Sequence, residues 1–358
     1  TYGDWSSDVC SSDLMPLGDS LRRLAGGEFG AGAGPGRPHE HRGGRCPQEA
    51  HADPPSWRLS ASPARSFVMN SGSVPQQPPM TFAPSAAIAC MSATNSSAVW
   101  PEASVMRSLR WFRETQNADG SWSTSKDPKA VGTALAVLAF LSHGETTAST
   151  QFGDSVQRGL KYLVSIQQED GTFQNTGKYP AIAHGIITWA LCEAYGMTMV
   201  PTLGEAAEKA LPVILITQRG SGLWDARYRP NGGHDDLEVS VWQVRAVSAG
   251  RLMGSKMAGL AEALKAAADG VAVVAPTSNA STAPFAIQPL LIFHRNRDAA
   301  YTAALDAMKG TEINWAKPQF DDPVVHWHFT GQALFWHGGN VWRDWNRSSV
   351  PNLVNAQI

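Results

Sequence analysis

The sequence predicts an all-α fold of repeated helical hairpins, and two observations carry that prediction. The segments TQNADGSW, IQQEDGTF and TQRGSGLW place Gly120, Gly171 and Gly222 at intervals of 51 residues, and a fixed period of that length marks a repeat architecture. Each segment also follows a stretch whose apolar residues recur at helical spacing and precedes a second, more uniformly apolar stretch.

The first 96 residues take no part in this pattern. Asp4 to Leu14 reads DWSSDVCSSDL, which looks like the conceptual translation of a sequencing-library adapter; the plainer alternative is a short disordered tail, and both remove it from the functional argument. Met15 to Ser96 is crowded with Gly, Pro, Arg and Ser, as in GAGAGPGRP and SVPQQPPM. Such a composition buries too little apolar surface to offset the entropy of ordering it. Residues 1–96 are therefore expected to be a disordered or artefactual leader, with Met69, Met80 and Met91 as alternative starts, and residues 97–358 the folded domain. FAPSAAIAC, ending at Cys90, faintly matches a lipoprotein cleavage box but lacks the basic and apolar regions that precede one. Bacterial cytoplasm and cell envelope both stay open.

Within 97–358 the unit is read from its ends. Gln116, Gln167 and Gln218 each stand four residues before the motif glycine, and Trp122, Phe173 and Trp224 two after it. The glycine is expected to stop the preceding helix in a left-handed conformation. The aromatic is expected to fold back onto that helix, and the glutamine to bond loose backbone groups. SVMRSLRWFRETQ, DSVQRGLKYLVSIQ and GEAAEKALPVILITQ read as amphipathic outer helices. VGTALAVLAFL, AIAHGIITWALCEAY, DLEVSVWQVRAV, FAIQPLLIFH and VVHWHFTGQALFW, apolar on most faces, read as buried inner ones. Two decayed copies continue the count, one at Asp269 and Gly270 and one at Ile313, Asn314 and Trp315. NLVNAQI matches the close of a further outer helix, with Gln357 in the place of Gln116. The expectation is five to six hairpins, the last cut before its inner helix, with one inner face left exposed.

Hairpins of this kind stack in an open solenoid or close into a ring. Q-x-x-D-G-S-W followed by an apolar helix resembles the QW repeat of squalene and oxidosqualene cyclases, shared more loosely with protein prenyltransferase β-subunits. AHGIITWALCEAYGMT, DLEVSVWQVRAVSAGRL and GQALFWHGGNVWRDWN are similar to a bacterial group of squalene-cyclase-like repeat proteins. The resemblance covers 99 to 358 and implies an α/α toroid.

It also frames the chemistry. Cyclases of the squalene-hopene type start with a protonated aspartic acid in D-x-D-D, and no such motif lies between 97 and 358. The nearest approach is Asp235, Asp236 and Glu238 in GGHDDLEVSVW, weak candidates for an acid. Both they and Asp321–Asp322 before Pro323 read more simply as caps for helix N-termini. The prenyltransferase zinc pattern is missing around Cys192, flanked by Ala190 and Ala194, and no cofactor or metal site is expected. His326 and His328, at i and i+2, point to different faces of a helix. Thr133, His184, Trp189, Ser240, Trp242, Gln243, His326, Trp327, His328 and Trp336 sit on helices expected to be buried, so they are candidates either for core packing or for a ligand cavity. The resemblance implies an apolar, isoprenoid-like ligand, or else a protein partner. The first reading is a toroid that binds without catalysis; the alternative is a terpenoid cyclase-like isomerase, distinguished by a cavity-facing carboxyl of raised pKa.

Composition narrows the field further. A net charge of -2 and 17% charged residues are wrong for a phosphate-binding surface, so nucleic acid is not expected. Four cysteines without a C-x-x-C pair exclude a disulfide framework. No apolar run reaches the roughly 18 residues of a membrane helix.

Overall fold

The computed structural model describes residues 99–123, 128–320 and 322–357; the leader lies outside them. All of them fall in one unit, Pro63–Ile358. Eleven α-helices follow one another in alternation among the described residues, and no strand occurs there. The outer helices are α1 (Val99–Thr115), α3 (Gly153–Ser165), α5 (Pro201–Ile216), α7 (Leu260–Val274), α9 (Ala299–Ala307) and α11 (Gly339–Asn355). The inner ones are α2 (Lys129–Ser142), α4 (Pro180–Thr198), α6 (Leu237–Leu252), α8 (Ala283–Ile292) and α10 (Pro323–His337).

Packing follows this alternation. Each inner helix touches the next, from α2 through α4, α6 and α8 to α10, while outer helices pair beside them as α3 with α5 and α7 with α9. Side chains such as Leu138, Phe140, Ile187, Trp224, Val244 and Phe329 are wholly enclosed between the layers, where fully burying each contributes roughly 1.5–3 kcal/mol. The outer layer closes into a ring because α11 returns to α1. Gln357 Nε2 donates to Ser104 O at 3.1 Å and to Ser108 Oγ at 2.8 Å, and Arg107 donates to Gln357 Oε1 at 3.0 Å. This is an all-α, α/α toroid.

The motif glutamines make that same contact around the ring. Gln116 Nε2 donates to Gly120 O and to Ser155 O on α3, Gln167 to Ala206 O on α5, and Gln218 to Gly222 O and Ala263 O on α7, all at 2.8–2.9 Å. Each thus ties its turn to the next outer helix. The indoles fold back as expected, Trp122 Nε1 onto Phe112 O and Trp224 Nε1 onto Ile214 O, both at 2.8 Å.

The glycines act differently from expectation. The helices end before the glutamine, and Gly120, Gly171 and Gly222 instead close four-residue turns, each donating its NH to the carbonyl three residues earlier. All three have φ of +84 to +86°. A Cβ there would fall 2.5 Å from Arg158 O, 2.1 Å from Lys209 O and 2.0 Å from Ala266 O, so left-handed backbone and close approach to the next outer helix both demand glycine.

Two further expectations are corrected. Asp269 and Gly270 lie inside α7, not in a turn; Gly270 is small because Ser221 O would sit 2.2 Å from its Cβ. In the copy at Ile313–Trp315 the tie runs in reverse, Asn352 of α11 donating to Ile313 O at 2.9 Å while Trp315 stays 36% exposed and donates to Asn352 O. On α2 every residue from Gly132 to Leu141 is buried, with α1, α3 and α4 packed against it.

Candidate functional site

The axis of the ring holds a cavity of about 650 Å³ at the N-terminal ends of the inner helices. Its wall is Val131 and Leu135 of α2, Ile182 and Ile186 of α4, Trp242 of α6 and Val325 of α10, and its polar lining comes from Asp236, Glu238 and Asp322 together with Thr176 and Lys178. The volume falls within the roughly 300–1,000 Å³ of small-molecule sites, which are commonly apolar with a few polar groups.

The three carboxylates differ in role. Asp236 is the N-cap of α6 and accepts from Val239 N at 3.0 Å; Asp322 caps α10 by accepting from Val325 N. Glu238 is half-buried. Loss of water, and then the negative charges of Asp322 and Asp236, push its carboxyl up to about 7. Asp235 stands apart from this group. It accepts from Arg219 Nε and Ser221 Oγ, both at 2.7 Å, and so braces the third motif turn.

Thr133, His184 and Ser240, expected to be candidates for the cavity, do not line it. Thr133 Oγ1 accepts from Trp122 N and donates to Lys129 O, while Ser240 Oγ accepts from Trp224 N and donates to Asp236 O. Each hydroxyl thereby pins a motif turn to the helix that follows. His184 lies against Phe173, bonds Ala210 O at 3.0 Å, and is pulled down to about 4 by burial, so it is neutral at pH 7. Gln243 is equally structural, donating to Ala181 O and accepting from Tyr228 OH. Thr133, Ser240 and His184 face the outer layer, whereas Gln243 joins α6 to α4 within the inner one; an inner helix is buried on those sides as well as toward the axis.

His326 stacks on Phe320 at 4.1 Å and bonds Ser281 O, whereas His328 stacks on Trp242 at 6.2 Å. The two histidines diverge as their spacing requires. Trp327 packs edge-on against Trp315, and Trp336 is half-buried beside Phe335. Trp189 donates to Glu193 Oε1 at 3.0 Å and lies beneath Arg245, whose Cζ is 4.7 Å from the ring centroid. Of the candidate aromatics, Trp242 is the one that lines the cavity. Among the described residues no group of three or more His, Cys, Asp or Glu could hold a metal ion, and no helix is long and apolar enough to cross a membrane.

Sequence reasoning passed over several polar groups in this interior. Asp225 is buried and takes both Arg229 Nε and Nη2 at 3.0 Å, together with the NH groups of Arg227 and His234; Arg229 foremost holds its carboxyl well below the usual carboxylate range. It organises the loop leading into α6. Arg245, Gln288, Gln332 and Glu193 meet near the axis, and their signal was an arginine within the otherwise apolar DLEVSVWQVRAV.

The family model described as squalene-hopene cyclase C-terminal domain matches residues 81–182, a span that includes the Gly120 and Gly171 turns. Among solved structures, apo type II terpene cyclase MstE from Scytonema is 15% identical, with 68% of this chain and 73% of that chain covered and a TM-score of 0.44. A single-substitution variant of that enzyme in complex with geranylgeranyl dihydroxybenzoate is 14% identical over 70% of this chain and 74% of that one, also at 0.44. A protein from Actinoplanes is 13% identical over 72% and 90%, at 0.46. No curated protein sequence matches.

Proposed function

We propose, taking as premise a squalene-cyclase-like α/α toroid with a hollow axis, that this chain binds a hydrophobic, isoprenoid-like ligand in its central cavity. The observation that carries the reading is the cavity itself, about 650 Å³ walled by Val131, Leu135, Ile182, Ile186, Trp242 and Val325. Apolar chains enter such a space with a gain of roughly 25 cal/mol per Å² of surface removed from water. The indole face of Trp242 adds favourable contact with unsaturated carbon.

A second reading, acid-initiated cyclisation, is favoured by one observation. Glu238 faces the cavity and keeps its proton close to neutral pH. Against it stands the absence of a D-x-D-D motif between 97 and 358, and the two carboxylates beside Glu238, Asp236 and Asp322, are engaged as helix caps. Binding therefore ranks ahead of turnover.

Incubation of the folded chain with squalene and with farnesol, followed by extraction and mass spectrometry, separates the readings. Retention of unchanged ligand, lost in a cavity-filling Ile186→Trp variant, is the expected result. A cyclic product that vanishes in Glu238→Gln would replace binding by catalysis. Neither retention nor product would remove both.

A further inference from the structure

Most of the cavity wall is helix, fixed in place by its own backbone bonds and by the layer behind it. The segment between α3 and α4 is different. Thr176, Gly177, Lys178 and Tyr179 are consecutive residues outside the helices, and all four line the cavity. Gly177, Lys178 and Tyr179 are at the same time exposed, Tyr179 by 50%. One thickness of chain therefore separates the ligand space from water at this point.

This strap is anchored at its ends and loose between them. Gln174 N donates to Ile166 O at 3.0 Å, and Tyr179 O accepts from Ala183 N at 3.2 Å in the first turn of α4. Among the described residues Thr176, Gly177 and Lys178 make no hydrogen bond, by backbone or by side chain. Exposed backbone with so few ties belongs to the part of a fold that opens most easily. What the strap rests on is Pro128, the residue before α2: a Cβ on Gly177 would fall 2.3 Å from Pro128 Cγ. Asn175 and Gly177 have φ of +59° and +73°, and glycine moves among such conformations at little steric cost. Lys178 Nζ lies 5.2 Å over the ring of Tyr179, so the long side chains of the strap engage each other. The opposite rim is tied down. Asp236 N donates to Trp224 O at 3.0 Å, and Ala226 follows Asp225, which Arg229 clamps through two bonds of 3.0 Å.

We propose that Thr176–Tyr179 is the gate of the cavity, a strap that lifts off Pro128 to admit an apolar ligand and settles back over it. This rests on the reading of the cavity above. Lifting breaks an apolar contact and no hydrogen bond. A gate acts on the path between the free and bound states and not on the states themselves, so it sets the rates of entry and exit together and leaves their ratio unchanged.

A reversible lock tests this. A Cβ on Gly177 would lie 3.2 Å from Pro128 Cβ, near the mean of about 3.8 Å across a disulfide. Pro128→Cys with Gly177→Cys, in a chain whose Cys10, Cys46 and Cys90 are replaced by serine and whose Cys192 is buried, can be closed by oxidation and opened by dithiothreitol. Stopped-flow mixing with retinol, a fluorescent isoprenoid alcohol, gives the entry rate, and displacement by excess farnesol the exit rate. Oxidation of the double variant should slow both by at least about 10-fold and leave its Kd within about 2-fold of the reduced form, with reduction restoring the rates. Should the double variant fail to fold or to cross-link, Pro128→Ala, which takes the ring from under Gly177, should raise both rates by the same factor. Equal rates in the oxidised and reduced forms, or rates unchanged in Pro128→Ala, would overturn the gate and leave the cavity reading intact. A Kd altered by oxidation at a constant entry rate would make the strap wall alone and would also overturn the gate. Failure of retinol and farnesol to bind the folded wild-type chain would overturn the cavity reading itself.

Discussion

Glu238→Gln keeps the shape of the side chain and deletes its titration, which makes it a direct probe of the carboxyl at the mouth of the cavity. In the folded chain that carboxyl is pushed from 4.5 to about 7, first by burial, then by Asp322 and Asp236. Below the lower value both folded and unfolded chains hold the proton, and the group has no effect on stability. As pH rises from 4.5 to 7 the unfolded chain releases the proton first, so wild-type stability falls through this window and then levels off. At about 1.4 kcal/mol per unit the full shift corresponds to about 3 kcal/mol; because Glu238 is only half-buried, solvent screening reduces this to about 1–2 kcal/mol. Glutamine has no charge to bury. Urea denaturation of both proteins at pH 4, 6 and 8.5 should therefore show little difference at pH 4 and a variant more stable by that amount at pH 8.5. A stability difference that stays constant with pH, or a variant that loses ground as pH rises, would refute the argument that Glu238 is desolvated.

Three other substitutions test the ring. Gly222→Ala places a Cβ 2.0 Å from Ala266 O on a backbone of φ +86° and should cost more than about 2 kcal/mol in thermal denaturation, whereas Gly220→Ala, with open space around it, should be near neutral; equal effects would count against the turn geometry. Trp224→Phe removes the NH that bonds Ile214 O and should destabilise by about 1–2 kcal/mol in urea, and an unchanged midpoint would deny that bond a role. Gln357→Ala releases Ser104 O and Ser108 Oγ. It should cost about 1–2 kcal/mol and raise amide hydrogen exchange in α1 more than in α6, while uniform exchange would argue against a local tie.

The hairpin order was legible because its punctuation admits few substitutes. A glycine at positive φ against a neighbouring carbonyl leaves the same residue at the same spacing in all three clear copies, and an indole whose NH reaches back ten residues to the helix it follows recurs in two of them, with Phe173 in the other. Gly270 broke the count for an instructive reason: glycine is also the answer to helix-to-turn crowding, here against Ser221 O, and a one-letter match does not say which demand it meets. The inner helices were harder still. Both of their broad faces are buried, so apolar periodicity does not separate the side toward the axis from the side toward the outer layer. Thr133 and Ser240 are therefore candidates for either side from sequence alone, and their hydroxyls bond the motif turns. Glu238 was readable as a carboxylate near the site, but its distinction from Asp235 was not, because Asp235 precedes the helix and is directed by its bonds to Arg219 and Ser221 rather than by helical periodicity.

The bond from Gln357 to the first outer helix also changes what an end means in this molecule. An open array of hairpins has two boundary units, each held by one neighbour, and it frays from them. Once the last outer helix is fastened beside the first, each outer helix has company on both sides, and unfolding any one hairpin must break two interfaces. The order in which the hairpins follow along the chain then matters less than their order around the circle. A circular permutant that joins residue 357 to the start of α1 through a short linker and opens the chain between α5 and α6 should retain the same fold, with the seam moved elsewhere on the circumference.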